Sequence, residues 1–368
     1  MSRAENRHDE EGCLREDRVE PEGNEEARST ASQENMEEGG AGSLLEKFLG
    51  RENLNRAYKR VKANGGSAGV DGMKVTELLA YLKVHRDELL ESLRTGSYKP
   101  QPVKRVEIPK PDGGVRQLGV PTVMDRMLQQ GLVQVLQPIF EPTFSDSSYG
   151  YRPGRKAPDA VKKSLLYYEE GYKVVVDIDL SKYFDTLNHD LLMSYVRRKV
   201  KDRRILELIK RYLKSGVMAN GVKEPTEKGS PQGGPLSPLL SNIYLNEFDQ
   251  EMASRGHLHI RYADDIVICV KSKRAGERLL ESCRHYLEKK LKLKVNEDKS
   301  KVGSPLKAKF LGFSLYKVRN AGIRVHEKTL QNLKEKLKHL TRRTQGRSLG
   351  EVLKKLKLYV SGCLTSVY

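Results

Sequence analysis

The feature that most constrains this chain is a pair of adjacent acids, Asp264 and Asp265, inside an apolar run. The run covers residues 258–270, with Ile260 before the acids and Ile266 to Val270 after them. This pattern predicts a β-hairpin with two carboxylates at its tip. Because like charges repel, the pair needs solvation or a partner. Mg²⁺ is a suitable partner, since it prefers oxygen ligands and usually takes one or two carboxylates together with substrate phosphates.

A second acidic strand lies upstream. The valine-rich segment that begins at Lys173 carries Asp177 and Asp179 and runs into residues 183–185, Tyr-Phe-Asp. A strand carrying Asp179 beside the hairpin carrying Asp264 would bring two carboxylates to one end of a sheet. That arrangement can hold two metal ions about 4 Å apart for in-line nucleotidyl transfer. An isolated Asp-Asp pair would instead be read as an ordinary turn, where acids are common.

The charge of the chain is divided unevenly. The 368 residues carry 67 Lys+Arg and 49 Asp+Glu, a net charge of +18. Residues 1–42 hold 13 of the acids and 5 of the basic residues, with almost no large apolar side chains. We therefore expect residues 1–42 to be a disordered acidic tail. The remaining body is strongly basic, which indicates a polyanionic partner, most simply nucleic acid.

Cysteine spacing and hydropathy exclude several protein classes. The four cysteines show no CxxC spacing, so neither a zinc site nor a disulfide framework is expected. The N-terminus lacks a signal-peptide pattern, and no apolar run approaches the ~20 residues of a membrane helix. We expect a cytoplasmic protein that is not in a membrane. The sequence does not predict an oligomeric state.

Strands separated by helices, with an antiparallel hairpin in the middle, indicate an α+β fold. Strands are predicted at 103–108, 115–120, 310–315 and 323–325. Helices are predicted at about 122–139, 156–170, 189–199, 203–215, 236–255, 275–291, 327–343 and 348–361. The glycine-rich loop 66–72 lacks the lysine of a P-loop and is expected to be flexible and near a ligand.

Six motifs follow one another along the chain. They are a hairpin over 108–121, the Tyr-Gly-Tyr-Arg-Pro-Gly segment in 147–155, the Asp179 strand, the Pro/Gly-rich stretch 229–238, the Tyr-Ala-Asp-Asp hairpin, and 291–299 followed by Phe-Leu-Gly-Phe at 310–313. In this order they resemble the reverse transcriptases, and most closely the bacterial group II intron-encoded reverse transcriptase/maturases. The resemblance covers about residues 50–365.

The resemblance implies a right-hand polymerase of fingers, a palm with an antiparallel sheet, and a partial helical thumb. The N-terminal extension and fingers would occupy 43–172. The palm would occupy 173–320, with a helical fingers insertion at about 189–222, and the thumb 321–368. Relative to the family the chain stops near the second thumb helix, and Cys363 replaces a common tryptophan. A C-terminally truncated member is therefore expected.

The resemblance also implies the catalytic residues Asp179, Asp264 and Asp265. The family spacing to the following Phe184 selects Asp179, although Asp177 shares one face of the strand with it. The metal ligands would be Asp179, Leu180, Asp264 and Asp265, holding two Mg²⁺ ions for which Mn²⁺ can substitute.

Four residues resemble the nucleotide-binding residues of the family. Lys110 and Arg116 flank the turn of the fingers hairpin and would clamp the triphosphate, with Arg as a planar donor fork and Lys as a point charge. Phe184 would exclude a 2′-hydroxyl, the alternative being an ordinary core aromatic. Gln232 lies in a loop whose glycines let the backbone approach the nascent base pair.

Two basic residues are candidates for contact with nucleic acid. Arg152 would contact the template or order the fingers. Lys299 would reach backbone phosphates, although an exposed lysine without that role is nearly as consistent with the sequence.

The implied function is an RNA-directed DNA polymerase that copies intron RNA from a DNA or RNA primer, using dNTPs, in retrohoming. Its splicing (maturase) role is in question because of the truncation. Two alternatives stay open. One is a reverse transcriptase of another bacterial lineage, CRISPR-linked or diversity-generating. The other is a non-catalytic RNA-binding splicing cofactor, against which the intact acids argue.

Overall fold

A computed structural model of the chain describes residues 43–109, 114–219, 222–224, 228–230, 233–342, 346 and 348–367. The predicted disorder of 1–42 lies outside these residues. The helices are α1 (Leu44–Leu49), α2 (Arg51–Asn64), α3 (Leu78–Arg94), α4 (Val123–Phe140), α5 (Ala157–Glu169), α6 (Tyr183–Thr186), α7 (His189–Lys199), α8 (Arg203–Leu213), α9 (Ser237–Ser254), α10 (Lys273–Lys289), α11 (Glu327–Leu340) and α12 (Leu349–Val367). The strands are β1 (Val103–Pro109), β2 (Val115–Val120), β3 (Val174–Ile178), β4 (Val217–Ala219), β5 (Val222–Glu224), β6 (Leu258–Tyr262), β7 (Asp265–Val270), β8 (Lys301–Gly303), β9 (Phe313–Lys317) and β10 (Ala321–Val325). The α+β prediction is confirmed.

A four-stranded antiparallel sheet in the order β6-β7-β3-β8 carries the acidic segments. One face packs on α10 through Val176, Ile268 and Leu279, which are all buried. The other face meets α5, where Val175 and Val267 cluster with residues such as Tyr167. Since both faces are covered, β3 and β7 are almost uniformly apolar. Their β-branched residues also favour strand conformation.

The contact between α10 and this sheet depends on a glycine. A Cβ on Gly276 would lie 2.6 Å from Val302 Cγ1 and 3.3 Å from Val270 Cγ2. The separation of 2.6 Å from Val302 is shorter than a van der Waals contact, so a larger residue would push the helix away from the sheet. Gly276 therefore fixes how closely α10 approaches β8 and β7.

A second sheet has the order β2-β1-β4-β5. Strands β1 and β2 form the predicted hairpin, and β4 joins β1 in parallel, with Val103 opposite Val217. The prediction of helices at 189–199 and 203–215 is confirmed by α7 and α8. The helical prediction for the rest of the segment to residue 222 is wrong, because 217–219 and 222–224 are strands. Three residues are too few to show a period of two, and pairing with β1 stabilises them.

The glycine-rich loop 66–72 packs against the start of α4. Arg126 donates from Nη1 to the Gly65 carbonyl at 3.1 Å and from Nη2 to the Ser67 carbonyl at 2.8 Å. A Cβ on Gly69 would lie 2.6 Å from Thr122 Cα. The loop thus contacts the body closely at Gly69, as a glycine permits, and the expectation that it is flexible and near a ligand stays a prediction.

The C-terminal elements are the β9–β10 hairpin and helices α11 and α12. The strand predicted at 310–315 begins instead at Phe313, because Leu311 and Gly312 have φ of 51° and 88° and form a turn before it. Both predicted C-terminal helices are confirmed, with α12 extending to Val367. Within the described ranges, no helix is long and apolar enough to cross a membrane.

Candidate active site

The adjacent acids lie at the tip of the β6–β7 hairpin, as predicted. Tyr262 pairs with Asp265, so Ala263 and Asp264 form a two-residue connection. Ala263 has φ of 59°, and a positive φ at the first loop position is typical of the tight turns that match strand twist. Asp265 is the first residue of β7, and its side chain is exposed.

Asp179 follows the last residue of β3 at the same end of the sheet. The β3–β7 register pairs Ile178 with Ile266, so its continuation places Asp179 opposite Asp265. Opposed residues of antiparallel strands project to one face, and Asp177 projects to that face too. The sheet therefore brings together the acids of β3 and of the hairpin tip.

Two residues downstream hold Asp179 in place. The Asn296 side-chain amide donates to Asp179 Oδ2 at 2.9 Å, and the Asn296 backbone N–H donates to the Asp179 carbonyl at 2.8 Å. The backbone N–H of Asp179 donates to Ser300 Oγ at 3.1 Å. Neither residue had a role predicted from the sequence. The signal for Asn296 was its place inside the motif 291–299, whereas Ser300 gave none.

The carboxylates at this sheet end repel one another. Partial desolvation, followed in order of effect by the charges of Asp264, Asp177 and Asp179, raises the pKa of Asp265 to about 6. Burial raises the pKa of Asp177 to about 6, with Lys301 opposing and Asp179 adding to the shift. Crowded carboxylates are stabilised by a cation, and oxygen donors suit Mg²⁺.

The acidic residues present therefore suit divalent metal ions, although their side chains do not form a complete set of metal ligands. In the part of the chain that the structure describes, no group of three or more His, Cys, Asp or Glu side chains is placed to hold a metal ion. Leu180, predicted as a further ligand, is buried and bridges to Val295, and the next N–H, of Ser181, donates to the Lys294 carbonyl at 2.8 Å. Its role as a ligand stays a prediction.

An open cleft of about 1050 Å³ borders Asp264. Helix α2 contributes Arg56 and Arg60 to its wall, and Phe184 and Tyr151 also line it. The Phe184 ring is 8% exposed and packs edge-on against Tyr183 at a centroid distance of 5.0 Å. Phe184 thus belongs to the core and also faces the cleft, so both interpretations of this residue stay open.

The structure describes the other predicted nucleotide-binding residues only in part. Lys110 and Gln232 lie outside the described residues. Arg116 lies in β2 opposite Ile108, and its side chain is not described. Beside Gln232, Gly233 has φ of 125°, and a Cβ there would lie 2.7 Å from the Gly119 carbonyl oxygen. The loop therefore approaches the β1–β2 hairpin closely, as a glycine allows.

The two candidate nucleic-acid contacts differ in placement. Arg152 is 8% exposed, pairs with Glu141 at 2.8 Å, and donates to the carbonyls of Ser145 and Ser148 at 2.6 and 2.9 Å. This placement favours the ordering role that the sequence left open, and the nucleic-acid contact stays a prediction. Lys299 is exposed in a turn between Asn296 and β8, and its role also stays a prediction.

Behind the hairpin tip lies a buried ion pair that was not predicted from the sequence. Arg261 and Asp249 have no exposed side-chain surface, and Arg261 Nη2 donates to Asp249 Oδ2 at 2.6 Å. Burial alone would raise the pKa of Asp249, but Arg261 and His259 together outweigh burial and hold that pKa below its usual value. The signal was present, since a charged residue inside a buried apolar strand needs a partner.

A profile of the family described as reverse transcriptase (RNA-dependent DNA polymerase) matches residues 108–315. Protein YkfC of Escherichia coli is 38% identical over 64% of this chain and 71% of its own length. The group II intron-encoded protein LtrA of Lactococcus lactis is 30% identical over 80% of this chain, which spans 59% of LtrA.

Among solved structures, the partial Cas6-RT-Cas1–Cas2 complex matches with a TM-score of 0.43 and 24% identity, covering 67% of this chain and 43% of that chain. A similarity at that level does not discriminate between lineages.

The profile match spans both acidic segments, and the relatives include group II intron-encoded proteins. The chain belongs to the reverse transcriptase family, with a right-hand polymerase fold, and its predicted resemblance to the group II intron-encoded members is confirmed.

Proposed function

We propose that this chain is an RNA-directed DNA polymerase of the group II intron type. It would add nucleotides from dNTPs to a primer 3′-hydroxyl along an intron RNA template, in retrohoming. The observation that carries the proposal is the meeting of Asp179 with Asp264 and Asp265 at one sheet end, beside an open cleft bordered by arginines. The proposal includes a cytoplasmic location, as the cysteine usage suggests.

Asp179, the Leu180 carbonyl, Asp264 and Asp265 would hold two Mg²⁺ ions, with Mn²⁺ as a substitute. When bound, such ions supply activation of the 3′-hydroxyl and neutralise charge on the triphosphate and pyrophosphate. The chain positions this chemistry through Asn296 and Ser300, which form hydrogen bonds with Asp179.

The remaining roles follow from position along the cleft. Lys110 and Arg116, on the β1–β2 hairpin, would clamp the triphosphate, and Gln232 would approach the nascent base pair. Phe184 would lie beneath the incoming sugar. Lys299 would contact a backbone phosphate, whereas Arg152 would order the segment that contributes Tyr151. In the same proposal, fingers, palm and partial thumb occupy 43–172, 173–320 and 321–368.

Primer extension on an RNA template with dNTPs and Mg²⁺ tests the proposal, with Asp264→Asn as the matched variant. Extension that disappears in the variant, while binding of the template–primer persists, supports the polymerase. A folded wild-type chain that binds RNA and extends no primer would contradict it and favour the splicing-cofactor alternative. Intron RNA or cas genes beside the gene would separate the polymerase lineages.

A further inference from the structure

Arg261 is fully buried directly behind the acidic hairpin tip. The proposed reaction assigns it no catalytic, metal-binding or nucleotide-binding role. Its Nη1 donates to the carbonyl of Ala263 at 2.9 Å, one residue before Asp264. We propose that Arg261 is a positioning residue, which fixes Asp264 for metal binding by holding the Ala263 carbonyl. The inference rests on the proposed polymerase function and adds to it a residue that contacts neither nucleotide nor metal.

The complete burial of the Arg261 guanidinium indicates that its hydrogen-bond geometry has a role in the fold. A charged group away from water is costly unless its charge and its donors are matched, and apolar packing of similar volume would often stabilise a fold better. Here Asp249 matches the charge, with contacts of 2.9 and 3.0 Å from Arg261 Nε and 2.6 Å from Nη2. With its charge neutralised, Arg261 has donors left to direct at other groups.

Those remaining donors join three separate parts of the chain. Nη1 also donates to Asn242 Oδ1 of α9 at 3.0 Å, and Nη2 donates to Ser148 Oγ at 2.8 Å. Ser148 belongs to a segment that pairs with β6, where the N–H of Arg261 donates to the Ser147 carbonyl at 2.8 Å. A planar fork can make these bonds together, whereas the point charge of a lysine cannot.

Ala263, whose carbonyl Arg261 holds, has a strained backbone conformation. Ala263 has φ of 59°, a left-handed conformation that costs free energy for a residue with a Cβ. Such a conformation persists only where its surroundings determine it. Because Asp264 follows directly, a change in the backbone at Ala263 would move the Asp264 carboxylate.

Gly150 also contacts the tip closely. A Cβ at this position would lie 2.3 Å from the Ala263 nitrogen, and the Gly150 carbonyl accepts from Asn242 Nδ2 at 2.8 Å. Gly150 does not have a positive φ, so an alanine there would fit the backbone, and the three atoms nearest to its Cβ all belong to Tyr262 and Ala263 at the tip. Gly150→Ala therefore displaces Ala263 without altering the guanidinium.

The test compares Arg261→Lys and Gly150→Ala with the wild-type chain. We expect both to lower the rate of primer extension at saturating dNTP by about 10- to 100-fold and to raise the Mg²⁺ concentration for half-maximal rate. Binding of the template–primer should change less than the rate, because both substituted residues are buried and the arginines of the cleft wall stay in place. Mn²⁺ affinity of the protein alone, followed by electron paramagnetic resonance, should fall in both variants.

Met252→Ala is the matched control for a loss of packing. Met252 is fully buried on α9, the helix of Asp249, and its Sδ lies 3.7 Å from Cys283 Sγ. It should lower the melting temperature while keeping the metal dependence of the wild type. If the two tip variants also keep that dependence and the Mn²⁺ affinity, Arg261 is only structural and the inference is overturned. If the wild type extends no primer, the proposed function fails, and Mn²⁺ affinity still decides the role of Arg261. Should Arg261→Lys not fold, Gly150→Ala carries the test.

Discussion

Asn296, in the segment between α10 and β8, donates a hydrogen bond of 2.9 Å to Oδ2 of Asp179 at the end of β3. The two residues are 117 positions apart. A second bond, from the Asn296 N–H to the Asp179 carbonyl, fixes the backbone of the same acid. The orientation of one proposed metal ligand thus depends on a neutral amide from another part of the chain.

Replacing Asn296 with alanine should slow primer extension by about 10- to 100-fold, because loss of an amide that orients a metal ligand typically costs that much in affinity or activity. Single-turnover extension at several Mg²⁺ concentrations measures the effect. Ser300→Ala is the comparison. It removes the bonds of Ser300 Oγ with the Asp179 N–H and carbonyl and leaves the carboxylate bond, so its loss should be smaller. Equal losses in the two variants would contradict the argument.

Replacing Phe184 with valine should raise the use of ribonucleotides relative to deoxyribonucleotides if the ring lies beneath the sugar. A change of about 1–3 kcal/mol in discrimination, or 10- to 200-fold, is typical of space opened in an apolar pocket. The ratio of kcat/KM for the two nucleotides measures it. Phe184 also belongs to the core. A lower melting temperature with an unchanged ratio would show that it is only a core aromatic.

The buried Asp125 should make stability depend on pH. Its carboxylate accepts from Tyr98 Oη at 2.7 Å, Thr122 Oγ1 at 2.8 Å and the Gln101 N–H at 3.1 Å. Burial, opposed by these bonds, raises its pKa above the ordinary value of 3.8. The folded chain then binds this proton more tightly than the unfolded chain, so the contribution is favourable below pH 3.8 and is lost as pH rises through the folded pKa.

Urea unfolding of the wild type and of Asp125→Asn from pH 3.5 to 8 measures this effect. The free energy of unfolding of the wild type should fall relative to that of the variant as pH rises. Asn53→Ala removes buried bonds to the carbonyls of Phe48 and Gly131 without a titrating group. Its difference from the wild type should be independent of pH, and a constant difference for Asp125→Asn would refute the assignment.

Gly276→Ala should lower the free energy of unfolding by about 1–3 kcal/mol, because the new methyl group would overlap Val302 and force α10 from the sheet. Gly303→Ala is a close control, since a Cβ there meets no atom within 4 Å and its φ is not positive. That variant should stay within about 0.5 kcal/mol of the wild type. Chemical denaturation of the three proteins decides the comparison.

The sequence predicted the parts of the site that local pattern encodes. The hairpin at Asp264 was predictable because an apolar run, two acids and a second apolar run allow few other structures. The contacts from Asn296 and Arg261 were not, since each depends on tertiary packing between distant segments. Strands β4 and β5 were missed for the same reason, as three residues carry no periodic signal and need β1 as a partner.

The segment that pairs with β6 has a consequence for association between chains. Strand β6 is at the edge of the four-stranded sheet, and an unpaired edge offers N–H and carbonyl groups to strands of other molecules. Here the Tyr149 N–H donates to the Arg261 carbonyl, and the Arg261 N–H donates to the Ser147 carbonyl, each at 2.8 Å. At the end of the sheet that bears the acids, the edge is therefore already occupied by the chain itself, and β6 cannot recruit a strand from another molecule there.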